Sequence, residues 1–355
     1  MLVTLIVFIL VFSIVVIAHE LGHFLIAKLN GIKVLEFAIG MGPALVKFTK
    51  GETKYVLRLL PLGGACMFEG EDGVYSSKEE GNEKQKTEGS FSEAKVWARI
   101  ATVFAGPFFN IILAFLLSLI VVGFSGTMKP TINGLKDGYP AKEAGLEVGD
   151  VITKMDGDRV HLQAEVTLIS SMSQGKTIEV EFLRNGEKHK TMITPRFSEE
   201  DNRYYMGFTI GEQVKCKGFE LIQYSFYEVR YWLKVTVDGL LMLVQGQLSK
   251  DDLAGPVGIA VTIDQTIEQT TPYGLSATIL TMINFAVLLS VNLGVMNLLP
   301  IPALDGGRLL FMLIEVVRGK PIPPEKEGMV HFVGFVALMI LMVFVMYNDI
   351  MRIFA

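Results

Sequence analysis

Cysteine is nearly missing from this chain of 355 residues: two occur, at positions 66 and 216. Neither stands in a spacing that binds metal. Basic residues are absent from the first 27 positions, where Glu20 is the only charge. A cleaved secretory leader needs a basic start and a small-residue cleavage site, and this segment has neither, so it reads as a retained span. Residues 100–124 and 274–299 carry no charge at all, and residues 329–347 carry only His331. Uncharged runs of this length are rare in water-soluble cores. The formal net charge of −5 offers no basic surface and argues against a nucleic-acid partner.

What the chain does have is apolar residues, half of the total, gathered into four blocks at 2–27, 100–124, 274–299 and 329–347. Each block is long enough to cross roughly 30 Å of hydrocarbon as a helix. The fold class expected is therefore a polytopic α-helical membrane protein with four transmembrane helices. Lys and Arg set the orientation through the short flanking segments. None precedes Lys28, and only Arg352 follows the fourth block. Lys28, Lys33, Lys47, Lys50, Lys54 and Arg58 follow the first span, and Arg308, Arg318, Lys320 and Lys326 lie between the third and fourth. Both termini are expected outside, residues 30–96 and 301–328 in the cytoplasm, and residues 125–273 outside. On that topology Cys66 and Cys216 lie on opposite sides and cannot pair.

Between the spans the pattern changes. Residues 1–30 form the first span and 31–70 a membrane-associated β region, where "GMGP" and "RLLPLGGACMFEGE" supply Gly and Pro turns. A polar cytoplasmic linker occupies 71–96 and the second span 97–125. Residues 126–200 read as an inserted α/β domain. In it, "VGDVITKMDGDRV" holds two strands about an Asp-Gly turn, "HLQAEVTLISSM" an amphipathic helix and "TIEVEFLRNGEKHKTMIT" an Asn-Gly hairpin. Residues 201–273 read as a connector with an amphipathic surface helix near 218–247. The third span with an LDGG stretch covers 274–310, and a cytoplasmic segment with the fourth span covers 311–355.

The chemistry starts with "VVIAHELGHFLIAK" at 15–28. HExxH on a helix puts His19 and His23 on one face, where two imidazoles can share a zinc ion, with Glu20 able to take a proton from an attacking water. The plainer alternative is two histidines and a glutamate hydrogen-bonded between helices. A hydrolytic zinc takes three protein ligands and keeps one open position. His19 lies roughly 25 Å along its helix, near the cytoplasmic leaflet. The third span runs inward and ends at "NLLPIPALDGGR", so Asp305 reaches the same depth. Its alternative role is to cap the helix that follows. His331 and Glu315 are the rival third ligands. His161 and His189, in the inserted domain, read as structural or exposed.

With these pieces in place the chain resembles the site-2 protease family of intramembrane zinc metalloproteases. "HELGH" and "NLLPIPALDGG" carry the likeness, joined by "FAGPFFN" at 104–110, which matches that family's FxGPxxN pattern. "RLLPLGGACMFEGE" resembles the glycine-rich membrane-associated hairpin of its bacterial branch, "GYPAKEAGLEVGDVITKMDGDRV" a PDZ domain, and "LAGPVGIA" the segment before its third span. One PDZ-like domain fits here, where some bacterial members carry two. The resemblance implies Zn2+ held by His19, His23 and Asp305, Glu20 as catalytic base, and substrate contacts from Asn297 and Asn110. Gly63 and Gly64 either admit a substrate strand or only make a turn. Implied partners are the lipid bilayer, single-span membrane substrates such as anti-sigma factors and remnant signal peptides, and an upstream site-1 protease. The implied location is the bacterial inner membrane. The competing class is a non-catalytic membrane adaptor with a structural metal.

Overall fold

The computed structural model describes residues 2–71, 88–199, 203–247 and 254–354. Most of the linker expected over 71–96 lies outside the described residues. Helix α1 (Leu2–Leu29) leads into strands β1 (Val34–Lys50) and β2 (Thr53–Phe68), and then helix α2 (Val96–Ser125). Next come β3 (Thr127–Leu135), the short helix α3 (Pro140–Glu143), β4 (Val151–Met155), β5 (Asp158–Arg159) and helix α4 (Gln163–Met172). Strands β6 (Ile178–Arg184), β7 (Glu187–Ile193), β8 (Arg196–Ser198), β9 (Arg203–Tyr205) and β10 (Phe208–Val214) precede helix α5 (Phe219–Val244). The chain closes with helices α6 (Pro256–Thr270), α7 (Leu275–Asn297), α8 (Asp305–Arg318) and α9 (Pro324–Phe354). Four of these helices are long and apolar enough to cross a membrane: α1, α2, α7 and α9. The protein is a multi-pass membrane protein.

The chain divides into a membrane unit, up to Leu117 and from Trp232 onward, and an inserted unit, Ser118–Tyr231. In the membrane unit β1 and β2 fold back on themselves, because each is interrupted near a glycine in the left-handed region, Gly42 and Gly63. The register shows the result. Residues 46–50 pair with 53–57, residues 54–57 pair on their other side with 36–39, and 36–39 pair in turn with 64–67. The expected hairpin is thus a small antiparallel sheet of four segments, with 64–67 at one border. Ile32, Val34 and Phe68 bury themselves with Ala27 of α1, Val103 of α2 and Met312 of α8. The tail of the expected linker belongs to this core: Phe91 stacks on Phe68 at 5.3 Å, and its amide donates to the Glu69 carbonyl.

The connector expected over 201–273 is more structured than its polar sequence implied. Helix α6 buries Ile263 against Phe8 of α1 and Met282 of α7. Its N-terminus is capped from a distance: Asp349 of α9, 3% exposed, accepts from the amides of Gly255 (3.2 Å) and Gly258 (2.8 Å). A carboxylate there satisfies orphan amides and the positive helix end together.

The inserted unit is an antiparallel sheet in the order β10-β3-β4-β6-β7, with β5 beside β4. Ile178, Val180 and Phe182 alternate inward along β6 onto Ile152, Met155 and Val166. Both expected turns take positive φ, at Asp156 and Gly157 and at Asn185 and Gly186, as type I′ hairpins require. The sheet runs past the boundary expected at 200, since β10 pairs with β3. Helix α5 is docked where it begins: Tyr227 stacks on His161 at 3.9 Å, and Arg230 pairs with the buried Glu165. His189 stacks on Phe182. Both expected histidines of this domain are therefore packing groups.

Arg184 closes the sheet's edge by a two-pronged pair. Its Nε and Nη2 donate to Asp150 at 2.8 and 2.7 Å, and Nη2 also donates to the Gly145 carbonyl. Burial alone would raise the Asp150 carboxyl; the guanidinium and the Glu147 amide outweigh it and hold it below the usual carboxylate range. Arg184→Met is expected to destabilise this unit, since it leaves the Asp150 carboxylate without its cation. Asp150's depressed pKa stabilises the fold above the ordinary aspartate value, and that contribution is lost as the pH falls through the folded value. The gap between variant and wild type therefore narrows below about pH 4. Hydrogen exchange of β4 and β6 amides in the full-length protein measures both effects.

Candidate metal centre

The site grows from the way α1 meets α2. Gly22, inside HELGH, faces the Ala105 carbonyl so closely that an added Cβ would lie 2.4 Å from that oxygen. Gly106, inside FAGPFFN, faces the imidazoles: a Cβ there would lie 2.2 Å from His23 Nε2 and 2.9 Å from His19 Cε1. A helix-interior glycine costs about 1 kcal/mol against alanine. Here the missing side chains let two backbones approach and leave room for two rings.

His19, Glu20 and His23 are 8%, 9% and 7% exposed. His23 Nδ1 donates to the Thr102 carbonyl of α2 at 2.9 Å, which leaves the Nε2 lone pair free. His19 Nδ1 lies 3.2 Å from the Asn110 amide. With that amide turned so that Oδ1 accepts the Nδ1 proton, His19 also presents a bare Nε2. Oδ1 otherwise has no hydrogen-bond partner among the described residues. Asn110 is itself fixed, since its carbonyl accepts from Ser290 of α7.

Asp305 opens α8. The N-cap, Leu304, makes no side-chain cap hydrogen bond, and the Asp305 carboxylate is turned toward the two histidines. Its Oδ2 lies 3.1 Å from His19 Nε2 and 3.4 Å from His23 Nε2, and the two Nε2 atoms are 3.2 Å apart. Donors at the corners of a tetrahedral zinc site with bonds of about 2.0–2.1 Å stand about 3.3–3.4 Å apart. The three atoms thus form one face of such a site, and Oδ2 is buried with no hydrogen-bond partner among the described residues. Two neutral imidazoles and one carboxylate are a donor set that catalytic zinc sites use. The residues fit the ion.

The other residues singled out from the sequence divide. Gly64 lies against Glu20, where a Cβ would be 2.6 Å from Glu20 Cγ. Gly63 makes a turn at φ +79° beneath Met41. Asn110 is wholly buried and faces His19. Asn297 ends α7, half-buried. Both rival ligands are engaged elsewhere: Glu315 pairs with Arg99, and His331 Nδ1 accepts from the Ala303 amide. The cysteines are free. The sequence reading overlooked Gly22, Gly106 and Thr102. The glycines were visible as breaks in helical propensity within motifs already quoted; the Thr102 carbonyl carries no side-chain signal at all.

A His–His–Asp triangle built from a membrane helix and the start of α8, with a carboxylate beside it, defines an integral-membrane metalloenzyme. Comparison with known proteins narrows the class. Residues 7–341 match Peptidase family M50, and the chain belongs to that family, the site-2 proteases. It is 34% identical to the zinc metalloprotease RasP of Geobacillus kaustophilus, with 98% of this chain and 97% of that protein covered. It is 33% identical to the regulator of sigma-W protease RasP of Bacillus subtilis, with 99% of each chain covered. The PDZ domain of an SdrC-like protein from Listeria monocytogenes aligns with 23% of the chain and 86% of its own length, at 23% identity and a TM-score of 0.21. The protein is a zinc metalloprotease, and the adaptor reading is set aside.

Gly106→Val is expected to push the imidazoles apart and cut zinc affinity by at least about tenfold. Metal analysis of the purified membrane protein, beside wild type, checks it.

Proposed function

We propose that this protease hydrolyses peptide bonds within or near the transmembrane segments of single-span membrane proteins, with His19, His23 and Asp305 as zinc ligands and Glu20 as general base. The observation that carries the reading is the position of Glu20, between the histidine pair and Gly64 on a sheet border. Segment 64–67 pairs with 36–39 on one side, and no other strand among the described residues pairs with its second side. A membrane helix hides its peptide bonds in its own hydrogen bonds, so it must be drawn out before it can be cut. An extended substrate added to that border by strand addition would run past Glu20 with its carbonyls exposed. The lack of a side chain at Gly64 lets a strand lie close to Glu20, since a Cβ there would stand 2.6 Å from Glu20 Cγ.

His19, His23 and Asp305 would hold the zinc ion, which when bound would supply Lewis-acid polarisation of the scissile carbonyl and acidify the attacking water. Glu20 takes the proton from that water and delivers it to the leaving amine. Thr102 and Asn110 hold the rings in the tautomer that leaves both Nε2 atoms available. Asn297, at the end of α7 on the segment that leads to Asp305, remains our candidate for a substrate contact.

The charge asymmetry supports an orientation with both termini and the inserted domain outside the cell and the metal centre near the cytoplasmic leaflet of a bacterial inner membrane. The inserted domain reads as a PDZ domain that bars bulky ectodomains until an upstream site-1 protease has trimmed them. The naming of the Bacillus subtilis relative as a sigma-W regulator supports anti-sigma factors as substrates, with remnant signal peptides as a second class.

Glu20→Gln is expected to keep zinc and lower cleavage of a single-span reporter in proteoliposomes by roughly 10²–10⁴-fold. Cleavage at the wild-type rate would refute the base assignment. Deleting residues 127–214, the whole sheet, tests the filter: untrimmed substrates become cleavable if the domain excludes them, and cleavage is lost if it recruits them.

A further inference from the structure

Helix α9 has little packing along its length, and most of its side chains are exposed. Its cytoplasmic-end residues, however, touch the loop that carries Asp305. Ala303, two residues before Asp305, has φ +75°, a left-handed conformation that costs a non-glycine residue about 1 kcal/mol or more. Its amide donates to His331 Nδ1 at 2.8 Å. Accepting there places the ring proton on Nε2, and Glu327 Oε1, one helical turn earlier, is 3.9 Å from that atom. One turn later on the same face, Gly334 meets Pro302: a Cβ at 334 would lie 2.4 Å from Pro302 Cβ. The Phe311 ring of α8 lies 5.5 Å from the imidazole.

The other side of the loop is equally close. A Cβ on Gly306 would lie 2.2 Å from the Leu299 carbonyl oxygen, and one on Gly307 would lie 2.4 Å from that of Ile301. The loop is therefore held between α9 on one side and the start of α8 on the other. Asp305 Oδ2 has no hydrogen bond of its own among the described residues, so its aim at the two histidines is set by the backbone that carries it.

We propose that His331 is a positioning residue for the metal centre: its Nδ1 holds the strained Ala303 amide and thereby sets where Asp305 presents its oxygen. This rests on Asp305 being a zinc ligand. The fourth span then has a purpose that its sparse packing does not reveal. It braces one ligand without touching the ion or the substrate.

The test is zinc affinity of the purified full-length protein, read by competition with a chromogenic chelator, with Asp305→Asn as reference. His331→Phe keeps a ring against Phe311 and removes the acceptor; it is expected to weaken zinc binding about 10–100-fold. His331→Asn keeps an acceptor near the same place and is expected to stay within about threefold of wild type. Adding Ala303→Gly to His331→Phe relieves the left-handed strain and is expected to recover part of the loss. Wild-type zinc affinity in His331→Phe, or an equal loss in His331→Asn, would overturn the proposal. If Asp305→Asn itself keeps zinc, the ligand assignment fails instead, and this inference with it. Should His331→Phe not fold, Gly334→Ala reads the same brace by pushing α9 off Pro302: a loss of about fivefold or more supports it, and wild-type affinity overturns it.

Discussion

The approach of α1 to α2 governs everything near the metal centre. Three donor atoms must stand little more than 3 Å apart in a region with scarcely any water, and imidazole rings are too bulky for that unless something beside them is missing. Gly22 and Gly106 supply the missing volume, one on each helix, and each faces the other helix. Once the backbones are this close, the Thr102 carbonyl and the Asn110 amide fall within reach of the two Nδ1 atoms. The small sheet then packs on α1 with Gly64 against Glu20, and α8 brings Asp305 into the remaining face.

Four carboxylates of this chain are held by partners within the fold. Asp150 is held by a guanidinium, Glu165 by two backbone amides and Arg230, Asp349 by the amides that begin α6, and Glu315 by Arg99. Each has partners that satisfy its charge within the fold. Asp305 Oδ2 faces two imidazoles that, with Nδ1 protonated toward Thr102 and Asn110, would both offer it lone pairs. Acceptors converging on acceptors have no stable arrangement without a cation between them, which is why this cluster reads as a metal centre and the others as scaffolding.

Much of this was legible in the sequence. Uncharged runs gave the four long helices, because the bilayer tolerates little else. HELGH and ALDGG pointed to one centre, because the depth of each along its span could be counted. The Asn-Gly and Asp-Gly turns were readable from the backbone freedom of their residues. Other features escaped for physical reasons. The refolding of β1 and β2 into four segments depends on pairing partners that periodicity does not name. Helix α6 has too few apolar residues to stand out, and its burial depends on a cap from a helix far along the chain. Asn110 stood out through its motif, while its burial beside His19 is a tertiary fact.

That remote cap has a practical consequence. Asp349 lies in the last turns of α9, and α6, which it secures, packs on the opening turns of α1. The final helix is thus a keystone for the opposite terminus. Trimming the tail to ease expression or crystallisation would strip two amides of their anion and loosen the seat of the first helix, at a distance from the cut where damage would not ordinarily be sought.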